Sequence, residues 1–244
     1  MTPRVTLAIA VRVLTQLRRD HRTLAMLLLV PCLLQALLWW IFWDQPLVFD
    51  RIGPALLAIF PFFVMFLVTS ITTLRERSGG TLERLFTMPM GRLDFLVGYA
   101  LAFGAIAAVQ AALAAGVAVG LLDLDLRGPD VLLVLVGVVD AVLGTALGLF
   151  VSAFARTEFQ AVQFLPAIVV PQILLCGLIV PRDRLPRVLE RIADVMPLTW
   201  AVDAMEHLAT TARTGAVWRD LGIVVAFAVA ALALGAATLR RRTE

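Results

Sequence analysis

Few side chains in this sequence have both the type and the setting to do chemistry. Asp140 is read as the only acid inside an apolar span, nine residues past Val131. That is about 14 Å along a helix, near the middle of a bilayer. A carboxylate at such depth is a functional candidate by default. Two readings stand side by side: it neutralises a cationic substrate or carries a proton, or it hydrogen-bonds Gln110, Gln163 or a Thr of a neighbouring span, or stays protonated. Thr69, Ser70, Thr72 and Thr73 carry hydroxyls of the nucleophilic kind, but no His or acid is placed to activate them. No His-Glu-x-x-His motif occurs. Cys32 and Cys176 each sit in an apolar run, where cysteine acts as a small hydrophobe more often than as a disulfide or metal partner. His21 and His207 fall on opposite sides of the membrane in the topology below, so no metal site is expected. The chain is read as non-enzymatic.

A second kind of chemistry, recognition, is suggested by the polar stretch from Arg75 to Met90, which separates two apolar runs. It holds a charged cluster, a Gly79-Gly80 break and the start of a short helix. Thr81 is placed to cap that helix, with Arg84 where a capping box would have Glu or Gln, so the cap is incomplete. Leu82, Leu85 and Phe86 fall at i, i+3 and i+4, opposite Glu83 and Arg84. Such a helix at the membrane surface offers a docking face to a soluble partner; the alternative is a capped interfacial turn.

These residues must be positioned by membrane spans. The 244 residues are 61% hydrophobic and 16% charged, against about 45–50% apolar in soluble domains; mean hydropathy is +0.92. The fold class is therefore all-α and polytopic, a single domain over 1–244, with spans expected at 24–43, 54–74, 95–121, 131–154, 160–180 and 218–239, each near the roughly 20 residues a hydrocarbon core requires. Residues 1–22 read as a basic amphipathic helix, with Val5, Ile9, Val13 and Leu17 repeating every four residues, suited to an anionic interface. The apolar run after it is too long for the core of a signal peptide. Residues 185–211 read as two short helices parted by Pro197.

All 21 basic residues are Arg. A phosphate-binding loop of the Walker A type needs its Lys, so this chain does not contain one. Counting Arg places both termini on the cytoplasmic side: 13 Arg lie inside and 8 outside. The 75–93 segment is then cytoplasmic and the 185–211 helices external. Gly116/Gly120 and Gly144/Gly148 each have the spacing of close helix packing, expected within one subunit ahead of a dimer seam.

Two blocks carry a family resemblance. Arg75-Glu76-Arg77-Ser78-Gly79-Gly80-Thr81-Leu82-Glu83-Arg84-Leu85, followed by Met88-Pro89, resembles the cytoplasmic signature of ABC-2 type transporter permeases, with one extra residue around Gly79-Gly80. Gln163-Phe164-Leu165-Pro166, Pro171-Gln172, Gly177 to Pro181, Leu185-Pro186 and Pro197 to Ala204 are similar to that family's fifth span and external helices. The resemblance implies a permease half in a bacterial inner membrane, paired with a second half (a copy or a paralogue) and two ATPase subunits that bind ATP and Mg2+. Gly80, Thr81, Leu82, Glu83, Arg84 and Leu85 would then be the coupling helix seated in the ATPase. Family members mostly export drugs, antibiotics, lipids or glycans, and a few are described as sodium exporters.

Spans two and five are expected to line the path, through Pro61, Pro166 and Pro171, with Asp140, Gln110, Gln163 and Gln172 as its polar candidates. The expected cargo is amphipathic, lipid-like or a drug, with membrane lipid as neighbour and no nucleic-acid partner. An ion-coupled carrier using Asp140 is the alternative.

Overall fold

The structure, a computed structural model, describes residues 2–79, 91–124 and 126–238. Among these, all regular secondary structure is helical. Six helices are long and apolar enough to cross a membrane: α2 (His21–Ile41), α3 (Pro46–Ser78), α4 (Arg92–Gly120), α5 (Asp130–Ser152), α6 (Glu158–Leu175) and α9 (Gly215–Thr238). The described residues also form α1 (Pro3–Arg19), α7 (Arg187–Val195) and α8 (Pro197–Thr210), with a 3-10 turn at Arg182–Arg184. Continuous apolar runs of this length form helices, which bond every backbone N–H and C=O within one segment where lipid offers no partner.

The bounds differ from the hydropathy reading where polar residues extend or cut a helix. The span expected at 54–74 is the middle of α3, which starts at Pro46 and carries Arg75 and Glu76 as a continuation of its own helix. The span expected at 160–180 stops at Leu175. Gly177 there takes φ +104, a left-handed backbone that suits glycine and ends a helix. Asp20 caps α2 by accepting from the Thr23 amide at 3.1 Å, so that span begins earlier than residue 24.

The architecture depends on a close approach between α3 and α5. A Cβ added to Gly144 would lie 2.4 Å from the Phe62 carbonyl oxygen, and one on Gly148 would lie 2.6 Å from that of Phe66. Gly137 faces the Leu57 carbonyl one step earlier. The contacts advance together along both helices, so α3 and α5 run parallel. Gly116 and Gly120, with the same spacing on α4, meet nothing within 4 Å; of the two pairs, only Gly144/Gly148 packs inside this chain. Helix α3 also packs on α2, α4, α6 and α8.

One end of the bundle, here the base, gathers α1 with the end of α3 and the start of α4. Gly98 admits α1: a Cβ there would come 2.8 Å from the Ile9 Cβ and 3.0 Å from the Thr6 carbonyl. Helix α1 buries Thr6, Ile9, Ala10, Val13 and Leu17 on that side. The last span returns to the same end, since Gly235 lies beside Phe150 and Leu96. Both ends of the described chain are therefore on one side.

The opposite end, the cap, is organised by Arg182. Its guanidinium pairs with Asp194 and Asp203 and sits 5.2 Å from the ring centroid of Trp200. The Trp200 indole donates to the Asp194 carbonyl at 3.0 Å. The two short helices expected at the surface differ in placement. Helix α7 is exposed along most of its length, whereas α8 sinks between α3 and α9 and buries Leu198, Ala201, Val202, Ala204 and Met205 completely or nearly so. Leu208 accepts from the Arg127 and Gly128 amides at 3.2 and 2.8 Å, which ties the α4–α5 loop to α8.

His207 contacts Asp220 at 3.0 Å, and Arg219 donates to the same carboxylate at 2.9 Å. Asp220 lies fully buried within α9. The reading of Asp140 as the only acid inside a span is corrected here: the last spanning helix starts at Gly215, and a paired acid is tolerated where an unpaired one is costly.

Two predictions follow from this packing. Gly144→Ala is expected to destabilise the protein by about 1–3 kcal/mol through overpacking against backbone. Gly116→Ala should be neutral or slightly stabilising, because alanine favours a helix over glycine by up to about 1 kcal/mol. Thermal unfolding in mild detergent checks both; equal effects would refute the seam. The second prediction concerns pH. Burial holds the Glu206 carboxyl above its ordinary range, helped by the nearby charge of Asp203, and burial raises Asp203 despite Arg182. A raised carboxyl stabilises the folded state below the unfolded range, about 4, and loses that contribution as pH rises through its raised value. Unfolding temperature should therefore fall as pH rises from about 4, with a shallower slope in Glu206→Gln. Identical slopes for the two proteins would exclude Glu206 as a source.

Candidate functional site

The base end holds polar contacts that reach across elements, and they surround the stretch singled out in the sequence. Arg75 and Glu76 are adjacent on α3, so they point about 100° apart around the helix axis and meet different neighbours. Glu76 accepts from Arg12 of α1 at 2.9 Å, with a tenth of its side chain exposed. Arg75 donates to both oxygens of Glu158, at the start of α6, at 2.8 and 2.9 Å. Two parallel bonds between a guanidinium and a carboxylate fix orientation as well as distance. The Arg75–Glu158 pair is solvent-exposed and contributes little stability; its geometry sets the relative position of α3 and α6.

Downstream, Asp94 on the first turn of α4 is almost completely buried. It accepts from the Thr2 amide at 2.8 Å, the Thr6 hydroxyl at 2.9 Å and the Gly91 amide at 3.0 Å. Helix α1 thus holds both flanks of the 80–90 stretch, the upstream flank through Arg12–Glu76 and the downstream flank through Thr2, Thr6 and Asp94. The expected contact residues Gly80, Thr81, Leu82, Glu83, Arg84 and Leu85, with the Thr81 cap and the Phe86 stripe, lie outside the described residues.

The interior holds the other candidates, and the structure does not bring them into one cavity. Asp140 is wholly buried on α5, three residues from Gly137 and four from Gly144. Neither of its carboxyl oxygens has a hydrogen-bond partner among the described residues. The expected bonds to Gln110, Gln163 or a Thr are therefore not formed. The Gln110 amide instead donates to the Leu27 carbonyl at 2.9 Å. Gln163 lies exposed on the outer face of α6. Thr145 returns its hydroxyl to the Ala141 carbonyl of its own helix at 2.9 Å.

Gln172 bridges two elements. It donates to the Ile168 carbonyl at 3.1 Å and accepts from the Leu198 amide at 3.2 Å, which satisfies the first turn of α8. That is a packing role. Pro61 is buried in α3, Pro171 is half-buried in α6, and Pro166 is exposed. Thr69, Ser70 and Thr73, also on α3, are buried with hydroxyls that find no partner among the described residues. Together with Asp140 they place orphaned polar atoms on both partners of the α3–α5 pair. No group of His, Cys, Asp and Glu suited to a metal ion occurs among the described residues.

The sequence reading missed α1 as the brace of the polar stretch. The available signal was the shortage of acids on the inner side: Glu76 and Asp94 flank the stretch and face a helix rich in Arg.

Comparison with known proteins matches residues 4–208 to the family model described as ABC-2 type transporter. A linearmycin resistance permease protein of Bacillus subtilis is 30% identical over 171 residues, covering 69% of this chain and 44% of its own. A probable multidrug ABC transporter permease of Escherichia coli (strain K12) is 25% identical over 169 residues, covering 69% and 46%. An ABC transporter G family member of Dictyostelium discoideum is 26% identical over 159 residues, covering 65% and 22%. The chain thus spans less than half the length of these relatives.

The brace yields a double-mutant prediction. Arg12→Ala or Glu76→Gln alone should cost on the order of 1.5–3 kcal/mol, since each leaves a partly buried polar or charged partner unmatched. The combined variant should cost less than the sum. Chemical or thermal unfolding of the four proteins measures the coupling; strict additivity would show that the pair does not hold α1 to α3.

Proposed function

The chain belongs to the ABC-2 type transporter family, and from that premise we propose that it is the membrane-spanning permease unit of an exporter driven by a separate ATPase. The cargo is amphipathic, lipid-like or a drug, leaving a bacterial cell across the inner membrane. The base end faces the cytoplasm and the cap end faces out. Two ATPase subunits dock on the Gly80–Leu85 stretch of two permease halves, this chain and a copy or paralogue. ATP and Mg2+ belong to those subunits; this chain has no Lys to hold a phosphate in the usual loop.

The observation that carries the reading is the bracing around that stretch. A displacement of residues 80–85 acts on Glu76 upstream and Asp94 downstream, and both are bonded to α1. It also reaches α6 through Arg75 and Glu158. Helix α3, which packs on five other helices, would carry the motion toward the cap, and α6 would move with it. The two states of the transporter would be biased by the ATPase because docking energy is delivered where three elements meet. The named relatives, a linearmycin resistance permease protein and a probable multidrug permease, favour a drug-like or antibiotic cargo over a hydrated glycan or sodium.

Asp140 favours a second reading, an ion-coupled carrier, because a mid-membrane carboxylate without a partner among the described residues is suited to a cation or proton. One measurement separates the two. The chain is purified from its native membrane in mild detergent and its companions are identified. A stoichiometric subunit with a Walker A loop, lost on Glu83→Lys or deletion of 80–85, is expected. A chain that arrives alone after crosslinking would sink the exporter reading in favour of the carrier.

A further inference from the structure

At the cap end, away from both the brace and Asp140, the α2–α3 hairpin and the chain after α4 line an open cavity of about 220 Å³. Its chemistry comes from six side chains: Trp39, Phe42, Trp43, Phe49, Asp50 and Asp123. Trp39 and Trp43 are one turn apart on and just beyond α2, with ring centroids 5.1 Å apart and planes at 88°. They form two walls at a right angle. Phe49, almost wholly buried on the first turn of α3, closes a further side.

The carboxylates arrive by different routes. Asp50 follows Phe49 on α3. Asp123 sits at φ +52, a left-handed conformation that Asp adopts more readily than most residues. The following Leu124 packs on Gly53 of α3, 2.8 Å from where a Cβ would stand, and pins that turn to the helix. Neither Asp50 nor Asp123 makes an ion pair within 4.0 Å among the described residues. Arg51, adjacent to Asp50, exerts its charge on Glu206 of the cap.

From this arrangement we propose that the cavity is a binding site for an organic cation of the quaternary or alkylated ammonium class. Aromatic faces attract a cation through their quadrupole, and a group of rings around a small cavity suits a cation with a thin hydration shell. The two carboxylates supply the counter-charge. A hard metal ion is a poor fit, because calcium takes six to eight oxygen ligands and magnesium a near-octahedral set, whereas aromatic rings make up half of this lining and only two of its residues are carboxylates. The volume is below the roughly 300–1,000 Å³ of drug-sized pockets, so the site takes a compact head group with any apolar tail lying outside. Tryptophans at a membrane interface commonly serve as anchors alone; an anchor, however, gives no selectivity for charge.

The proposal goes beyond the transport reading and does not depend on it, since binding is read on the purified chain without an ATPase. Calorimetric titration of the full chain in phosphatidylglycerol nanodiscs, blanked against protein-free discs, compares choline with its uncharged isostere 3,3-dimethylbutan-1-ol. Saturable choline binding with none for the alcohol is expected. Trp43→Leu, Asp50→Asn and Asp123→Asn should each weaken it about tenfold, while Trp218→Leu on α9 should not. Trp43 is 61% exposed, so its replacement leaves the fold intact, and unfolding temperatures verify this for every variant. Repeating the titration in phosphatidylcholine discs identifies the source: choline binding that disappears there marks a lipid head group, and binding that persists marks a soluble cation. Either result upholds the site. It is overturned if choline and the alcohol behave alike, if choline does not saturate, or if the folded Asp50→Asn and Trp43→Leu variants bind as the parent does.

Discussion

The close approach of α3 and α5 is the contact on which the rest of the molecule depends. In lipid there is no hydrophobic drive between apolar helices, so association rests on van der Waals packing and on what the backbones allow. Gly144 and Gly148 allow the α5 backbone to meet the carbonyls of Phe62 and Phe66 directly. With that seam closed, α3 becomes the common wall for α2, α4, α6 and α8, and the cap and base are built at its two ends.

The two ends are built from different forces. At the cap, one guanidinium gathers Asp194, Asp203 and Trp200 and lets α8, a helix with acids on it, sink into the bundle. At the base, α1 meets the end of α3 and the start of α4 through an ion pair and a threefold-accepting carboxylate. Charge-assisted bonds of this kind are short and directional. They transmit displacement in a way that a greasy contact between sliding surfaces does not. The proposed export mechanism and the bracing of α1 are therefore two views of the same geometry, one functional and one mechanical.

Asp140 shows the other side of the same physics. An acid that pairs, as Asp220 does with His207 and Arg219, is a structural element even when fully buried. An acid that finds no partner at the same degree of burial is a persistent cost. The sequence distinguishes these two cases poorly because any span can supply the pairing partner, and Asp220 and Asp140 differ only in what the fold brings to them.

The number of spans and the all-helical class were legible without coordinates. They depend on local quantities: length of apolar run, charge count and the obligation of every backbone group to bond within its own helix. Residues 75–85 and the Pro- and Gln-rich blocks carried the family as well. The tertiary structure decided which of two glycine pairs forms a seam, since identical spacing at Gly116/Gly120 and Gly144/Gly148 says nothing about what lies opposite. It also decided that Gln172 supports α8 while Gln163 faces outward, that α1 holds both flanks of the polar stretch, and that Trp39 and Trp43 share a cavity with Asp50 and Asp123. Each of these is a long-range juxtaposition. A sequence fixes what each helix presents around its circumference, and only packing fixes which face meets which.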